Sequence, residues 1–178
     1  ACLMSGQYSP RHGIYTVGDP KRGNHAQRKL EPTPNKTVLG DDFITIAESL
    51  RTSGYTSASM GKWHLGADPT TQGFDVNIAG KEWGSPSGGG YHSPYKYPHL
   101  VNKEPGEYLT DRLTAEACSF IEANKGGPFF LYLAYSMPHL PVRTRNDFRG
   151  KSRSGLYGDV IQTIDWSVGD VLKALEDT

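Results

Sequence analysis

A cation and a titratable base lie two residues apart in the stretch GYTSASMGKWHLG at positions 54–66. In an extended chain, residues i and i+2 point to the same side, so Lys62 and His64 share one face and Trp63 packs the other way. An ammonium supplies positive charge, and an imidazole can move a proton near neutral pH. The pair suits a site for a tetrahedral oxyanion, although a surface lysine next to a half-packed histidine fits the same spacing.

A second histidine, His139, lies in the segment SMPHLP at positions 136–141. The two prolines that flank it favour a stiff extended loop and remove backbone donors that would compete for the imidazole. Taken alone, the segment also fits a rigid surface turn. However, both histidine segments come after predicted strands, and open parallel sheets bind ligands beyond the carboxyl ends of their strands. Lys62, His64 and His139 are therefore predicted to form one oxyanion site.

Helices and strands alternate along the predicted chain, which is typical of an α/β fold with a mostly parallel sheet flanked by helices. The continuous apolar run over residues 128–135 is typical of a strand covered on both faces, and it is predicted to lie at the centre of the sheet. Glycine, proline, serine and tyrosine dominate residues 67–106, which indicates irregular loops. The predicted elements are helices over 41–53, 110–124 and 158–176 and strands over 55–60 and 128–135.

Two helix starts and one helix face are predicted from the same patterns. The acidic pair Asp41-Asp42 is predicted to cap the first helix and to compensate its dipole, and Thr110 is predicted to cap the second. The last helix is predicted to be amphipathic. Its predicted apolar face consists of Val160, Ile161, Ile164, Val168, Val171, Leu172 and Leu175.

Composition excludes several classes of partner. The 178 residues are enough for one domain, and 19 lysines and arginines balance 19 aspartates and glutamates. Nothing in this balance argues for nucleic acid or an anionic membrane surface. No apolar run approaches the length of about 20 residues that a membrane-spanning helix needs. Cys2 and Cys118 have no metal-site or disulfide-scaffold spacing, so they are expected to be small buried apolar residues.

The stretch from Gly54 to His64 resembles the second signature of type I, formylglycine-dependent sulfatases, which are arylsulfatase-like members of the alkaline-phosphatase-like superfamily. The core of that signature is Gly-Tyr, a few small residues and then Gly-Lys-Trp-His. The opening ACLMSG is similar to the family segment on the carboxyl side of the Cys-x-Pro-Ser-Arg motif, which would end one residue before Ala1. Residues 129–141 and 157–175 resemble later family segments. The resemblance implies that residues 1–178 are a partial N-terminal catalytic domain of a sulfatase.

The resemblance also implies a chemistry, namely that of a sulfuric ester hydrolase. A Cys or Ser upstream of Ala1 would be converted to formylglycine by a sulfatase-maturating enzyme, and its hydrated aldehyde would attack sulfur and form an enzyme-bound sulfate ester. Lys62 would bind the sulfate, His64 would act as a base, and His139 would bind sulfate and protonate the leaving alcohol. The calcium ligands would lie outside these residues, so the chain alone is expected to be inactive and to hold no metal.

The substrate is expected to be a sulfated carbohydrate. The loop over residues 88–95 resembles loops in bacterial carbohydrate sulfatases, with Tyr91, Tyr95 and the nearby Trp83 as aromatic faces for sugar rings and His92 as a substrate contact. A glycine-rich surface loop with incidental aromatics fits as well. A phosphonate monoester or phosphodiester hydrolase and a non-catalytic sugar-binding homologue are the alternative functions. The resemblance implies a secreted, periplasmic or lysosomal protein.

Overall fold

The computed structural model describes residues 1–21, 23–86 and 88–178. Its centre is a three-stranded sheet of β1 (Thr56–Gly61), β2 (Val76–Ile78) and β3 (Phe129–Ala134), in the order β2-β1-β3. Both pairings are parallel. The predicted mostly parallel sheet is confirmed, and β2 is a strand inside the region for which composition predicts irregular loops.

Helices cover both faces of the sheet. On one face, α4 packs on β1 and β3 through Leu109, Leu113 and Ala117, and α5 packs on α4. On the other face, α1 and α3 lie over a cluster that contains Trp63 and Phe74. The helices are α1 (Cys2–Ser5), α2 (Ser9–His12), α3 (Ile46–Arg51), α4 (Leu109–Asn124) and α5 (Gly155–Glu176), with 3-10 turns at His25–Gln27 and Pro69–Gln72.

Strand β3 is covered on both faces, as its apolar run predicts. Alternate side chains pack into the two clusters on opposite faces of the sheet: Leu131 and Leu133 into one, Phe130 and Tyr132 into the other. The predicted position at the sheet centre is wrong, because β1 lies between β2 and β3. An apolar run reports burial of the two faces of a strand and carries no information about its lateral neighbours.

The first long helix starts later than its sequence pattern predicts. Asp41-Asp42 lies in a turn, and α3 begins at Ile46 with Thr45 as its N-cap. The Thr45 hydroxyl accepts the Glu48 N–H, while the Glu48 carboxylate accepts the Thr45 N–H at 2.6 Å. This reciprocal capping box satisfies two helix-end donors at once, which the acidic pair does not.

The starts of α4 and α5 also differ from the prediction. The N-cap of α4 is Tyr108, and Thr110 is a buried residue inside the first turn. Helix α5 begins at Gly155 and buries polar side chains, among them Thr163 and Ser167. Four of the seven residues of its predicted apolar face are exposed to solvent. The exposed members of that face are Ile161, Val168, Leu172 and Leu175.

None of the helices in the described part of the chain is long and apolar enough to cross a membrane.

Candidate active site

The carboxyl ends of β1 and β3 coincide at one edge of the sheet. Gly61 lies opposite Ala134 in the register, and the Lys62 N–H continues the ladder by donating to the Ala134 carbonyl at 2.8 Å. A Cβ on Gly61 would lie 2.0 Å from that carbonyl oxygen, and the residue has φ of 96°, so glycine is required there. The half-buried Lys62 side chain therefore starts from a fixed point at the ligand edge of the sheet.

The next two residues have different surroundings. Trp63 lies in the core, and His64 lies at the candidate site. Trp63 is buried and meets Phe74 edge to face, with ring centroids 5.7 Å apart. His64 has φ of 60°, and its N–H donates to the Lys81 carbonyl at 2.9 Å. Lys62 and His64 line one cavity of about 320 Å³ together with Ala1 and Tyr132. The structure thus brings together the first two residues of the predicted oxyanion site.

The surroundings of His64 lower the pKa of its imidazole. Its pKa lies below the ordinary value for histidine because burial disfavours the charged form and because the charges of Lys62 and His139 repel a proton. Neutral His64 can accept a proton at neutral pH. The same repulsion shows that Lys62 and His139 both lie within electrostatic range of His64, although His139 does not line the cavity that holds the other two.

His139 is exposed on a loop whose backbone is fixed. Its Nδ1 lies 2.6 Å from the Leu140 carbonyl oxygen, so Nδ1 carries a proton and donates it, which leaves Nε2 directed elsewhere. The His139 carbonyl accepts the hydroxyl proton of Tyr91 at 2.8 Å. Burial raises the pKa of Tyr91 to about 12, with a smaller contribution from Tyr97, so this donor stays protonated.

Two buried tyrosines anchor the loop that carries His139. The Tyr108 hydroxyl donates to the Arg143 carbonyl at 2.7 Å, and the rings of Tyr108 and Tyr91 stack with centroids 6.2 Å apart. Tyr91 and Tyr95 are only 7% and 6% exposed, so the prediction that they present faces to a sugar is wrong. Their hydroxyls find backbone carbonyls as partners, which is what burial of a phenol requires.

His92 lies apart from the cavity of Lys62. It lines a second cavity of about 180 Å³ with Tyr91 and Arg143, and its ring centroid lies 5.1 Å from that of Tyr108. Its pKa is lowered by burial and by the charge of Arg143. Trp83 is half-buried, with the Lys81 ammonium 4.2 Å from its ring centroid. Ser87, in the same glycine-rich loop, lies outside the described residues.

The two cysteines are not the buried pair that their spacing predicts. Cys2 is exposed and Cys118 is half-buried. The Cys2 sulfur lies 3.3 Å from Nε2 of the buried His12, whose Nδ1 accepts the Ile14 N–H at 3.1 Å. Nε2 therefore holds the proton of the neutral ring and donates toward sulfur. Sequence reasoning misses this contact, because a small residue near a chain start carries no signal of a polar partner.

Metal ligands do not cluster in the described part of the chain. Across residues 1–21, 23–86 and 88–178, no group of three or more His, Cys, Asp or Glu side chains is arranged to hold an ion. Asp41 accepts a hydrogen bond from the Gln72 side-chain amide at 2.9 Å and therefore has a local structural role.

Similar proteins identify the family of this chain. The sequence model of the Sulfatase family matches residues 1–178. The chain belongs to the sulfatase family. N-acetylgalactosamine-6-sulfatase of Mus musculus is 34% identical to this sulfatase chain over 204 residues, which cover 99% of the chain and 37% of that protein. The arylsulfatase of Hemicentrotus pulcherrimus is 32% identical over 191 residues, which cover 94% of the chain and 35% of the relative.

Solved structures have the same fold as this sulfatase chain. Ps i-CgsB in complex with k-i-k-neocarrahexaose superposes with a TM-score of 0.71 at 26% identity, covering 99% of the chain and 43% of that protein. BT4656 in complex with its substrate D-glucosamine-2-N,6-O-disulfate gives a TM-score of 0.59 at 26% identity, covering 85% of the chain and 26% of that protein. The chain spans about 37% of the length of the first of these relatives.

Proposed function

We propose that the complete protein hydrolyses sulfate monoesters of a sulfated carbohydrate, and that residues 1–178 are the N-terminal part of its catalytic domain. One observation carries the proposal: Lys62 and a neutral His64 line one cavity at the carboxyl edge of the sheet, with the charge of His139 within range. The substrate class is supported by similar proteins, among them an N-acetylgalactosamine-6-sulfatase and a structure whose substrate is D-glucosamine-2-N,6-O-disulfate.

The nucleophile is proposed to lie in the segment that precedes Ala1. Ala1 lines the same cavity as Lys62 and His64, so a motif that ends directly before Ala1 would enter the cavity beside both side chains. Formylglycine made from a Cys or Ser of that motif would supply a hydrated aldehyde oxygen as nucleophile. We propose that calcium is bound by residues outside positions 1–178, and that the 178 residues alone are inactive.

Each of the three site residues has a role that its surroundings allow. The Lys62 ammonium offsets negative charge on the sulfuryl group, and it starts from a backbone position fixed against Ala134. His64 is the base, because its lowered pKa keeps the imidazole neutral and able to accept a proton. His139 binds sulfate and, as an imidazolium with both ring nitrogens protonated, donates the Nε2 proton to the leaving oxygen, while Nδ1 keeps its proton on the Leu140 carbonyl.

Two further proposals concern the maturation of the protein and its location. A formylglycine-generating enzyme is the proposed partner, because the proposed nucleophile requires that modification. A secreted, periplasmic or lysosomal location is proposed on the family resemblance. Mass spectrometry of the motif peptide from the native host tests the first proposal, and cell fractionation tests the second. An unmodified peptide in fully active protein, or a cytosolic location, would contradict them.

The experiment that tests the function compares sulfate esters with phosphorus esters as substrates. The complete protein, produced with a maturating enzyme, is assayed on nitrophenyl sulfate, nitrophenyl phosphate and a phosphonate monoester, and on a sulfated disaccharide. A sulfatase shows the highest kcat/KM on the sulfates. Preference for the phosphorus esters would establish the alternative hydrolase. Binding of the disaccharide without turnover of any ester would establish a sugar-binding homologue.

A further inference from the structure

The segment on the carboxyl side of His139 is strongly basic although the whole chain has no net charge. It contains five basic residues and one acidic residue over positions 143–153. Arg145 is neutralised, because it pairs with Asp111 and Asp147 and lies over the Trp166 ring at 4.3 Å. The basic residues are Arg143, Arg145, Arg149, Lys151 and Arg153.

Arg143 and Arg149 differ from Arg145 in having no carboxylate partner among the described residues. Both arginines are exposed, and both line one cavity of about 220 Å³. Their like charges repel each other, screened by water, and an anion bound at this cavity would offset the repulsion. The guanidinium group is also the side chain best suited to bidentate binding of sulfate-like and carboxylate groups.

Arg143 is shared between two cavities. It lines the 220 Å³ cavity with Arg149, and it lines the 180 Å³ cavity with His92 and Pro141. His92 is an exposed side chain whose pKa is lowered by partial burial and then by the charge of Arg143, and its imidazole can hydrogen-bond a hydroxyl group. Arg143 therefore stands between a cation-rich cavity and a cavity with a hydrogen-bonding side chain.

The position of Arg143 relative to the candidate active site is fixed by the two buried tyrosines. Tyr91 holds the carbonyl of His139, and Tyr108 holds the carbonyl of Arg143. Four residues of extended chain span at most roughly 14 Å. The backbone of Arg143 thus lies within the length of a short oligosaccharide from the backbone of His139, and the loop between them is anchored at both ends.

We propose that Arg143 and Arg149, with His92 beside them, form an anion-binding subsite that takes a second negatively charged group, a sulfate or a carboxylate, on a sugar next to the one that is desulfated. This inference rests on the proposed function, because it assigns a neighbouring subsite of the same substrate. It makes the preferred substrate a polyanionic oligosaccharide. Small aryl sulfates would leave the subsite empty.

The test uses the complete protein and substrates that differ only in the neighbouring sugar. Three sulfated disaccharides carry a second sulfate, a carboxylate or no charge on that sugar, and nitrophenyl sulfate serves as the substrate without a sugar. Arg143→Gln is expected to raise KM about 10-fold to 100-fold on a doubly charged disaccharide, as for loss of a charge-assisted hydrogen bond. Which of the two doubly charged substrates is affected more identifies the bound group.

Arg153→Gln is the matched control, because Arg153 is an exposed arginine of the same segment that lines neither cavity. It is expected to leave every KM within about twofold, because an exposed charge that lines no cavity contributes little to binding. Equal effects of Arg143→Gln on all four substrates, or none on the doubly charged pair, would overturn the subsite. The wild-type KM on doubly charged substrates should also rise with salt, and Arg143→Gln should flatten that rise.

Failure of the proposed function is distinguishable from failure of the subsite. If the wild-type protein hydrolyses no sulfate ester, calorimetry measures binding of the doubly charged disaccharides directly. Binding that weakens at least about tenfold in Arg143→Gln and is unchanged in Arg153→Gln supports the subsite without any turnover. Equal affinities of the three proteins, or no binding by the wild type, would contradict it.

Discussion

The backbone of Gly84 packs against the imidazole of His64. A Cβ on Gly84 would lie 2.2 Å from Cε1, 2.5 Å from Nδ1 and 2.7 Å from Nε2 of His64, closer than such atoms can approach. The imidazole is held from the other direction by its own backbone, which has φ of 60° and a hydrogen bond to the Lys81 carbonyl. Gly84 is therefore a positioning residue for the candidate base.

Gly84→Ala is expected to lower kcat of the complete enzyme on nitrophenyl sulfate by about 10²-fold, because a displacement of the order of 1 Å can cost that much. The pH profile of kcat/KM should shift as well, since the surroundings of His64 change. Gly126→Ala is the control, because a Cβ there meets nothing within 4 Å. Normal kcat with an unchanged pH profile in Gly84→Ala would show that the ring is not positioned by this contact.

The ammonium of Lys62 is expected to stabilise charge that develops on the sulfuryl group. Lys62→Ala should therefore lower kcat/KM for sulfate esters by about 10²-fold to 10³-fold, as does loss of one oxyanion donor in other enzymes. Thermal unfolding should be nearly unchanged. Lys103→Ala, at an exposed lysine that does not line the cavity of Lys62, is the matched control and should retain full activity. Turnover of Lys62→Ala close to wild type would remove the assigned role.

A pH dependence is expected from the pKa of His64. Burial, Lys62 and His139 all hold this pKa below the ordinary histidine value. Removing the Lys62 charge removes one of these effects, so the pKa of His64 rises. Because the base must be neutral, the acid limb of the residual kcat/KM profile of Lys62→Ala should move to higher pH.

Lys62→Arg tests the cause of that shift, because it keeps a positive charge near His64 and should keep the acid limb near its wild-type position. The measurement is kcat/KM for nitrophenyl sulfate from acid to neutral pH in all three proteins. An acid limb that stays in place in Lys62→Ala would mean that another group controls it.

The residues of the candidate site that follow the ends of strands could be predicted from the sequence. A period of two after β1 places Lys62 and His64 together, and the apolar run of β3 leads to His139. The contacts that hold these residues could not be predicted, since Tyr91 reaches His139 across 48 positions. Gly84 meets His64 only after the intervening loop has folded back. Long-range loop contacts leave no periodic signal in a sequence.

Helix ends and faces show a second limit. The apolar spacing of α5 predicts its hydrophobic side, yet Thr163 and Ser167 are buried because their hydroxyls meet those of Thr144 and Thr114, at 3.0 and 2.5 Å. Hydroxyl pairs of this kind make a polar residue compatible with the interior. The partner of such a polar residue lies far away along the chain. Hydropathy considers each residue without its partner and therefore assigns the residue to the surface.

The start of α3 gives a stability prediction that separates the two candidate caps. Thr45→Ala should lower the free energy of unfolding by about 1–2 kcal/mol, because it removes an N-cap whose buried hydroxyl also donates to the Gln72 carbonyl at 2.7 Å. Asp42→Ala, in the acidic pair that the sequence pattern favours as a cap, should change it by less than about 0.5 kcal/mol. Urea unfolding measured by circular dichroism tests both. A larger loss of unfolding free energy in Asp42→Ala than in Thr45→Ala would show that the acidic pair caps the helix.

The proton that His139 donates should matter most when the leaving group is poor. The Leu140 carbonyl holds the Nδ1 proton of His139, so the imidazolium form protonates the ester oxygen from Nε2 and leaves the neutral ring behind. His139→Ala is therefore expected to lower kcat/KM about 10²-fold to 10⁴-fold on an alkyl or sugar sulfate and much less on nitrophenyl sulfate, whose leaving group needs little protonation.

A series of aryl sulfates with leaving groups of increasing pKa measures this difference as the slope of log kcat/KM. The slope should be steeper in His139→Ala than in the wild type. The nitrophenyl ester is the internal control, because it reports sulfate binding by His139 with little contribution from proton donation. Parallel slopes with one uniform loss would assign His139 to sulfate binding alone and leave the proton donor to another group.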